Sequence, residues 1–113
     1  MTNFRALHKP GHPFILATAW DIGSGDDPDT CAETVRLSAE VGLAGICIED
    51  TALPGSDPYD LEHAAERLRA AASAAKARST DFFLVGRTDV LPLGTETLEQ
   101  AIARLRAFEA AGV

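Results

Sequence analysis

The sequence predicts an α/β fold in which parallel strands are joined by crossover helices. Three observations predict it. Short apolar runs recur three times along the chain. Each run is followed by a loop rich in Gly, Pro or Asp. Each loop leads into a segment whose apolar residues keep helical spacing. Strand and helix alternating in this way bring parallel strands together with helices as crossovers. The chain has 113 residues, enough for one domain of about three βα units.

The first run is Pro13-Phe14-Ile15-Leu16-Ala17-Thr18-Ala19, which suits a buried strand. Trp20 to Pro28 reads as a loop, and Asp29 or Thr30 can cap a helix over Cys31 to Val41, with Cys31, Val35, Leu37, Ser38 and Val41 near one face. Gly42 closes that helix. The second run, Ala44 to Ile48, is apolar without alternation, as in a strand covered on both faces, and ends in Glu49-Asp50. Thr51 to Pro58 forms a loop with two prolines. Asp57 or Asp60 caps the next helix, whose stripe is Leu61, Ala64, Ala65, Leu68, Ala71, Ala72 and Ala75, with Glu66, Arg67, Arg69 and Lys76 elsewhere. The third run, Asp81 to Val85, ends in Gly86-Arg87-Thr88-Asp89. Thr97 and Gln100 fit a capping box, and Leu98, Ile102, Leu105 and Phe108 give the last helix its apolar face. Gly112 ends it, and Val113 reads as the start of a further strand.

Bulk properties narrow the function classes. A net charge of −7 gives no electrostatic footing for nucleic acid or an anionic membrane, whereas acidic clusters suit a divalent cation. Cys31 and Cys47 stand sixteen apart without a CxxC or a His at metal spacing, and read as reduced core thiols. No signal-like segment opens the chain and no run approaches the roughly 20 apolar residues of a membrane span, so a cytoplasmic location is expected by default.

The polar residues fall where such a fold carries its chemistry, at the C-terminal ends of the strands. Asp21 follows the first run, Glu49 and Asp50 the second, Arg87 and Asp89 the third. Carboxylates with water suit Mg²⁺, and an arginine beside them can grip a carboxylate or phosphate. The substrate class this suggests is a small oxygen-rich anion, such as a 2-oxo or 2-hydroxy acid, whose carbonyl a metal would polarise. Plainer roles stand beside these. Glu49 and Asp50 could cap loop amides, Asp89 could be a turn residue, and Arg87 could form a structural ion pair with Glu49. Asp26 and Asp27 read as loop and helix-cap acids. His8, His12 and His63 read as surface residues, and Trp20 as packing.

The order of motifs resembles the isocitrate lyase / phosphoenolpyruvate mutase superfamily. Phe4-x-x-Leu7-His8-x-x-Gly11-x-Pro13-Phe14-Ile15-Leu16 through Ala19-Trp20-Asp21-x-Gly23-Ser24 is similar to the opening of its bacterial members. Further matches are Gly25-Asp26-Asp27-Pro28, Gly42-x-Ala44-Gly45-Ile46-x-Ile48-Glu49-Asp50, Tyr59-Asp60-Leu61 and Gly86-Arg87-Thr88-Asp89. The resemblance implies a partial TIM-type (β/α) barrel over residues 1–113. It also implies a Mg²⁺-dependent lyase or mutase that acts on C–C or P–C bonds of small 2-oxo or 2-hydroxy acids through an enolate-type intermediate, and a homo-oligomer. Carried over, Glu49 is a metal-site and catalytic residue. Arg87 is catalytic and substrate-binding, and Asp50 and Asp89 are neighbouring substrate-binding positions.

The sequence departs from the family in three places. Ser24-Gly25 joins two segments that the family separates, a deletion joint near 24–25. At that joint Asp21 can take the place of a second metal carboxylate, while Ala19 stands where another is expected. The loop after Asp50, Thr51 to Pro58, lacks the Lys-Arg/Lys-Cys-Gly-His segment of the lyase branch, so no catalytic cysteine is assigned. A whole barrel takes about 250 residues, so a lone monomer with open sheet edges is expected to be marginal. Two other readings stay open: a shortened, catalytically impaired relative with at most an assembly role, and a small α/β module binding an anion or cation.

Overall fold

A computed structural model describes residues 6, 8–18, 25–78 and 81–113. Three parallel strands, β1 (Leu16–Thr18), β2 (Gly45–Glu49) and β3 (Phe83–Arg87), lie in the order β1-β2-β3. Helices α1 (Pro28–Glu40), α2 (Leu61–Arg78) and α3 (Leu98–Ala111) follow them in turn. This is the predicted βα alternation. Parallel pairing sets Ala17 beside Ile46 and Ile46 beside Leu84, and closes on Glu49 beside Arg87.

Each boundary has a local cause. Helix α1 begins earlier than predicted because Asp27, read from the sequence as a helix-cap acid, takes the N-cap in place of Asp29 or Thr30: its carboxylate accepts from the Thr30 amide at 2.9 Å, and Pro28 fills the first turn, where no amide is needed. Asp60 opens α2, accepting from the His63 amide at 3.0 Å. Thr97 and Gln100 form the predicted capping box at α3. The helix ends at Gly112 with φ 111°, a left-handed conformation that glycine adopts without steric cost. Strand β3 runs two residues further than predicted, so that Arg87 belongs to the ladder.

The helices form one layer, with α2 packed between α1 and α3. Their core joins Cys31, Val35, Leu68, Ala71, Ala75, Phe108 and Ala111 to Ile46 and Ile48 of the sheet. Alternation along β2 then points Gly45, Cys47 and Glu49 to the opposite face. Predicted faces on all three helices are corrected. Helix α3 packs through Ala101, Arg104, Phe108 and Ala111, leaving Leu98, Ile102 and Leu105 exposed. The small residues of that face allow close approach, and Arg104 finds polar partners inside. Arg67, placed off the apolar stripe of α2, is only 1% exposed. Leu37 and Val41 of the α1 region are likewise exposed. Among the described residues, no helix is long and apolar enough to cross a membrane.

Candidate active site

The register pair Glu49–Arg87 places an acid and a base side by side at the C-terminal ends of β2 and β3. Glu49 is 5% exposed and accepts a hydrogen bond from Arg87 Nη2 through Oε2. The same Nη2 donates to Asp89 Oδ2 at 2.9 Å. Two carboxylates therefore share one guanidinium. Burial, and then a hydrogen bond with Asp89, push the Glu49 carboxyl above its usual range, and Arg87 opposes them. Hydrogen bonding to Asp89 holds the Arg87 guanidinium more firmly protonated than an isolated arginine.

A cleft of about 230 Å³ opens over this pair. Glu49, Arg87 and Asp89 line it on one side, and Thr51, Leu53, Gly55 and Ser56 of the loop after β2 on another. Pro92 and Leu93 complete the wall. A space of this size takes a small organic acid. Of the residues singled out from the sequence, the structure brings Glu49, Arg87 and Asp89 to the cleft. Asp50 stands directly behind them, buried and outside the lining. The plainer reading of Arg87 as the ion-pair partner of Glu49 describes its contact here. Asp21, Trp20 and Ala19 lie outside the described residues.

Sequence reasoning missed two arginines that hold this rim from behind. Arg67 Nη1 donates to the Glu49 carbonyl at 3.0 Å and Nε to the Gly25 carbonyl at 2.8 Å, with the guanidinium 4.3 Å from the Tyr59 ring centre. Arg104 grips Glu96 through two hydrogen bonds of 2.6 and 2.7 Å and donates to the Tyr59 carbonyl at 2.8 Å. The available signal was spacing: Arg67 falls at i+3 from Ala64, and Arg104 at i+3 from Ala101, both on buried faces. His63, expected at the surface, is half-buried with Nε2 at 2.6 Å from the Asp26 carbonyl. Asp26 also accepts from the Tyr59 hydroxyl, so it ties its loop to α2, as a loop acid does.

Oxygen donors dominate the rim. Among the described residues, no three His, Cys, Asp or Glu side chains gather as a metal cluster. Glu49 offers carboxylate oxygens of the kind a hard cation such as Mg²⁺ prefers, and Asp89, held on Arg87, adds negative charge beside it. Two acids held by one guanidinium leave room for added positive charge, so the donor set fits such an ion with water completing its shell.

Residues 22–113 match the family model described as phosphoenolpyruvate phosphomutase. The chain is 34% identical to 2-methylisocitrate lyase of Escherichia coli over 99 residues, covering 81% of this chain and 32% of that protein. A crystal structure of a lyase/mutase from Burkholderia cenocepacia superposes with a TM-score of 0.81 at 38% identity, over 91% of this chain and 37% of that one. The structure of oxaloacetate acetylhydrolase in complex with its product oxalate superposes with a TM-score of 0.80 at 32% identity, over 92% and 35%. The chain thus spans about a third of the length of the relatives it matches.

Proposed function

This chain belongs to the phosphoenolpyruvate phosphomutase family, and from that premise we propose that its rim binds a small 2-oxo or 2-hydroxy acid with Mg²⁺ and makes or breaks a C–C or P–C bond through an enolate-type intermediate. The observation that carries the reading is the Glu49–Arg87 register pair, set with Asp89 at the mouth of an acid-sized cleft. Relatives of similar sequence are named for small acids of this kind, methylisocitrate and oxaloacetate.

Each residue has a part in that proposal. Arg87, now shared between two carboxylates, exchanges one of them for the substrate carboxylate or phosphonate, which it can hold through two parallel hydrogen bonds. Asp89 keeps the guanidinium oriented during that exchange. Glu49 is the metal-site carboxylate, with Asp21 as a second. The cation, when bound, would polarise the substrate carbonyl. Thr51, Leu53, Gly55 and Ser56 of the loop after β2 wall the cleft beside the bound acid.

The test is binding before turnover. Titration calorimetry with oxalate and Mg²⁺ is expected to show saturable binding that needs both. Arg87→Met is expected to weaken oxalate at least 100-fold, and Glu49→Gln to weaken Mg²⁺ at least 10-fold. Release of pyruvate from methylisocitrate or dimethylmalate, or of pyruvate or oxalate from oxaloacetate, then identifies the reaction. A chain that binds neither oxalate nor Mg²⁺ at millimolar concentration sinks this reading. The uncovered apolar stripe Leu98, Ile102 and Leu105 would then favour the second one, a family relative whose role is in assembly.

A further inference from the structure

We propose that the buried Asp50–Arg104 pair is the positioning device of the rim: it fixes the end of β3 so that Arg87 and Asp89 face the cleft, without touching substrate itself. The inference rests on the reading of that rim as the substrate site. The β2–β3 ladder closes at Glu49–Arg87. Past this point the ladder no longer holds the two chain segments together. The Asp50 carboxylate takes over. Its Oδ2 accepts from the Thr88 hydroxyl at 2.6 Å, and its Oδ1 accepts from the Asp89 amide at 3.1 Å. The two residues that follow Arg87 are thereby pinned to the residue that follows Glu49.

Asp50 is 1% exposed, and both of its oxygens are used in this way. A substrate has no access to it. Such a carboxylate needs a compensating cation nearby, because ionised groups lose several kcal/mol of hydration on burial. Arg104 supplies it from α3, with Nη1 3.4 Å from Asp50 Oδ2, an electrostatic contact at the long end of hydrogen bonding. The fork of Arg104 is fixed in turn by Glu96 and by the Tyr59 carbonyl. The last helix and the loop before α2 therefore act on the rim through one carboxylate. Arg104 lies outside the cleft lining, like Asp50, so both work through Arg87 and Asp89.

The test uses the full chain, with Asp50→Asn as the conservative variant and Arg104→Lys as a second. Asparagine keeps the shape but removes the charge and one acceptor. Two quantities are read: hydrogen exchange at the Asp89 amide, and the affinity for oxalate in the presence of Mg²⁺. Asp50→Asn is expected to remain folded by circular dichroism, to speed Asp89 exchange at least 10-fold and to weaken oxalate at least 10-fold. Arg104→Lys, which keeps the charge but not the fork, is expected to shift both in the same direction by a smaller factor. Unchanged exchange and unchanged affinity in folded Asp50→Asn overturn the proposal. Faster exchange with wild-type oxalate affinity also overturns it, since the clamp would then be structural only. If the wild-type chain binds no oxalate, the substrate reading falls separately. The nuclear magnetic resonance signal of the Arg87 Nε–H then decides: it moves in Asp50→Asn if the clamp orients the guanidinium, and stays in place if the proposal is wrong.

Discussion

Arg104→Met leaves a carboxylate stranded in the protein interior, and the size of the loss can be worked from its contacts. The arginine is 4% exposed and serves three acceptors: Glu96 through two bonds, the Tyr59 carbonyl, and Asp50 at 3.4 Å. Glu96 retains 19% side-chain exposure and can turn to water once released. Asp50, with 2% side-chain exposure, cannot. Removing one partner of a buried pair costs about 3–5 kcal/mol, most of it from the charge left behind. Unfolding entropy near 2.1 cal/mol/K per residue gives roughly 0.24 kcal/mol/K for a chain of this length, so the melting temperature should fall by about 12–20 °C. Calorimetric melting measures this. A double-mutant cycle with Asp50→Asn separates the pair from the rest: with the carboxylate neutralised, Arg104→Met should cost at least ~1 kcal/mol less. A drop of under ~1 kcal/mol for Arg104→Met, or additivity within ~0.5 kcal/mol, would refute the argument.

Two further outcomes follow from other parts of the chain. Cys31 is fully buried, and desolvation lifts its thiol from the ordinary 9.0 to about 11, with Arg67 opposing. The folded chain therefore keeps this proton where the unfolded chain loses it, so stability should decline by about 2–3 kcal/mol between pH 9 and 11. Urea titrations across that range should show a shallower decline in Cys31→Ala, and equal slopes would contradict the assignment. Gly25 has φ +85°, and a methyl group there would lie 2.5 Å from the Cys31 amide nitrogen. Left-handed strain and overpacking against backbone together put Gly25→Ala at about 3 kcal/mol, read as a lower urea midpoint at unchanged slope; a shift under ~1 kcal/mol would mean that the turn relaxes freely.

Much of the architecture was legible because local signals agreed. The unbroken apolar run before Glu49 made β2 unmistakable, and Thr97 with Gln100 marked the start of α3. The same run put Glu49 at a strand end, and Gly86-Arg87-Thr88-Asp89 did likewise for the arginine. Helix α3 was harder. Hydrophobicity pointed to Leu98, Ile102 and Leu105, yet the helix seats itself on Ala101, Phe108 and Ala111 with a charged Arg104 among them. Patterning treats a charged side chain as a surface marker and has no means of seeing the carbonyl and carboxylate acceptors that admit it. Those acceptors come from residues as far as 54 positions away, a distance over which pattern reading carries no information. For the same reason Asp50 looked like a third acid of the rim, when its oxygens are turned inward to Thr88 and Asp89.

The odd-and-even order of β2 has an evolutionary consequence. Ile46 and Ile48 fill the helix-side core while Glu49 reaches the rim, and one alternation governs both. A slip of a single residue against β3 would carry the acid into the hydrocarbon layer and an isoleucine to the cleft. Drift in this strand is thus policed by folding before catalysis is ever tried, so the spacing of the Glu49–Arg87 couple should persist in descendants that have changed, or abandoned, their reaction.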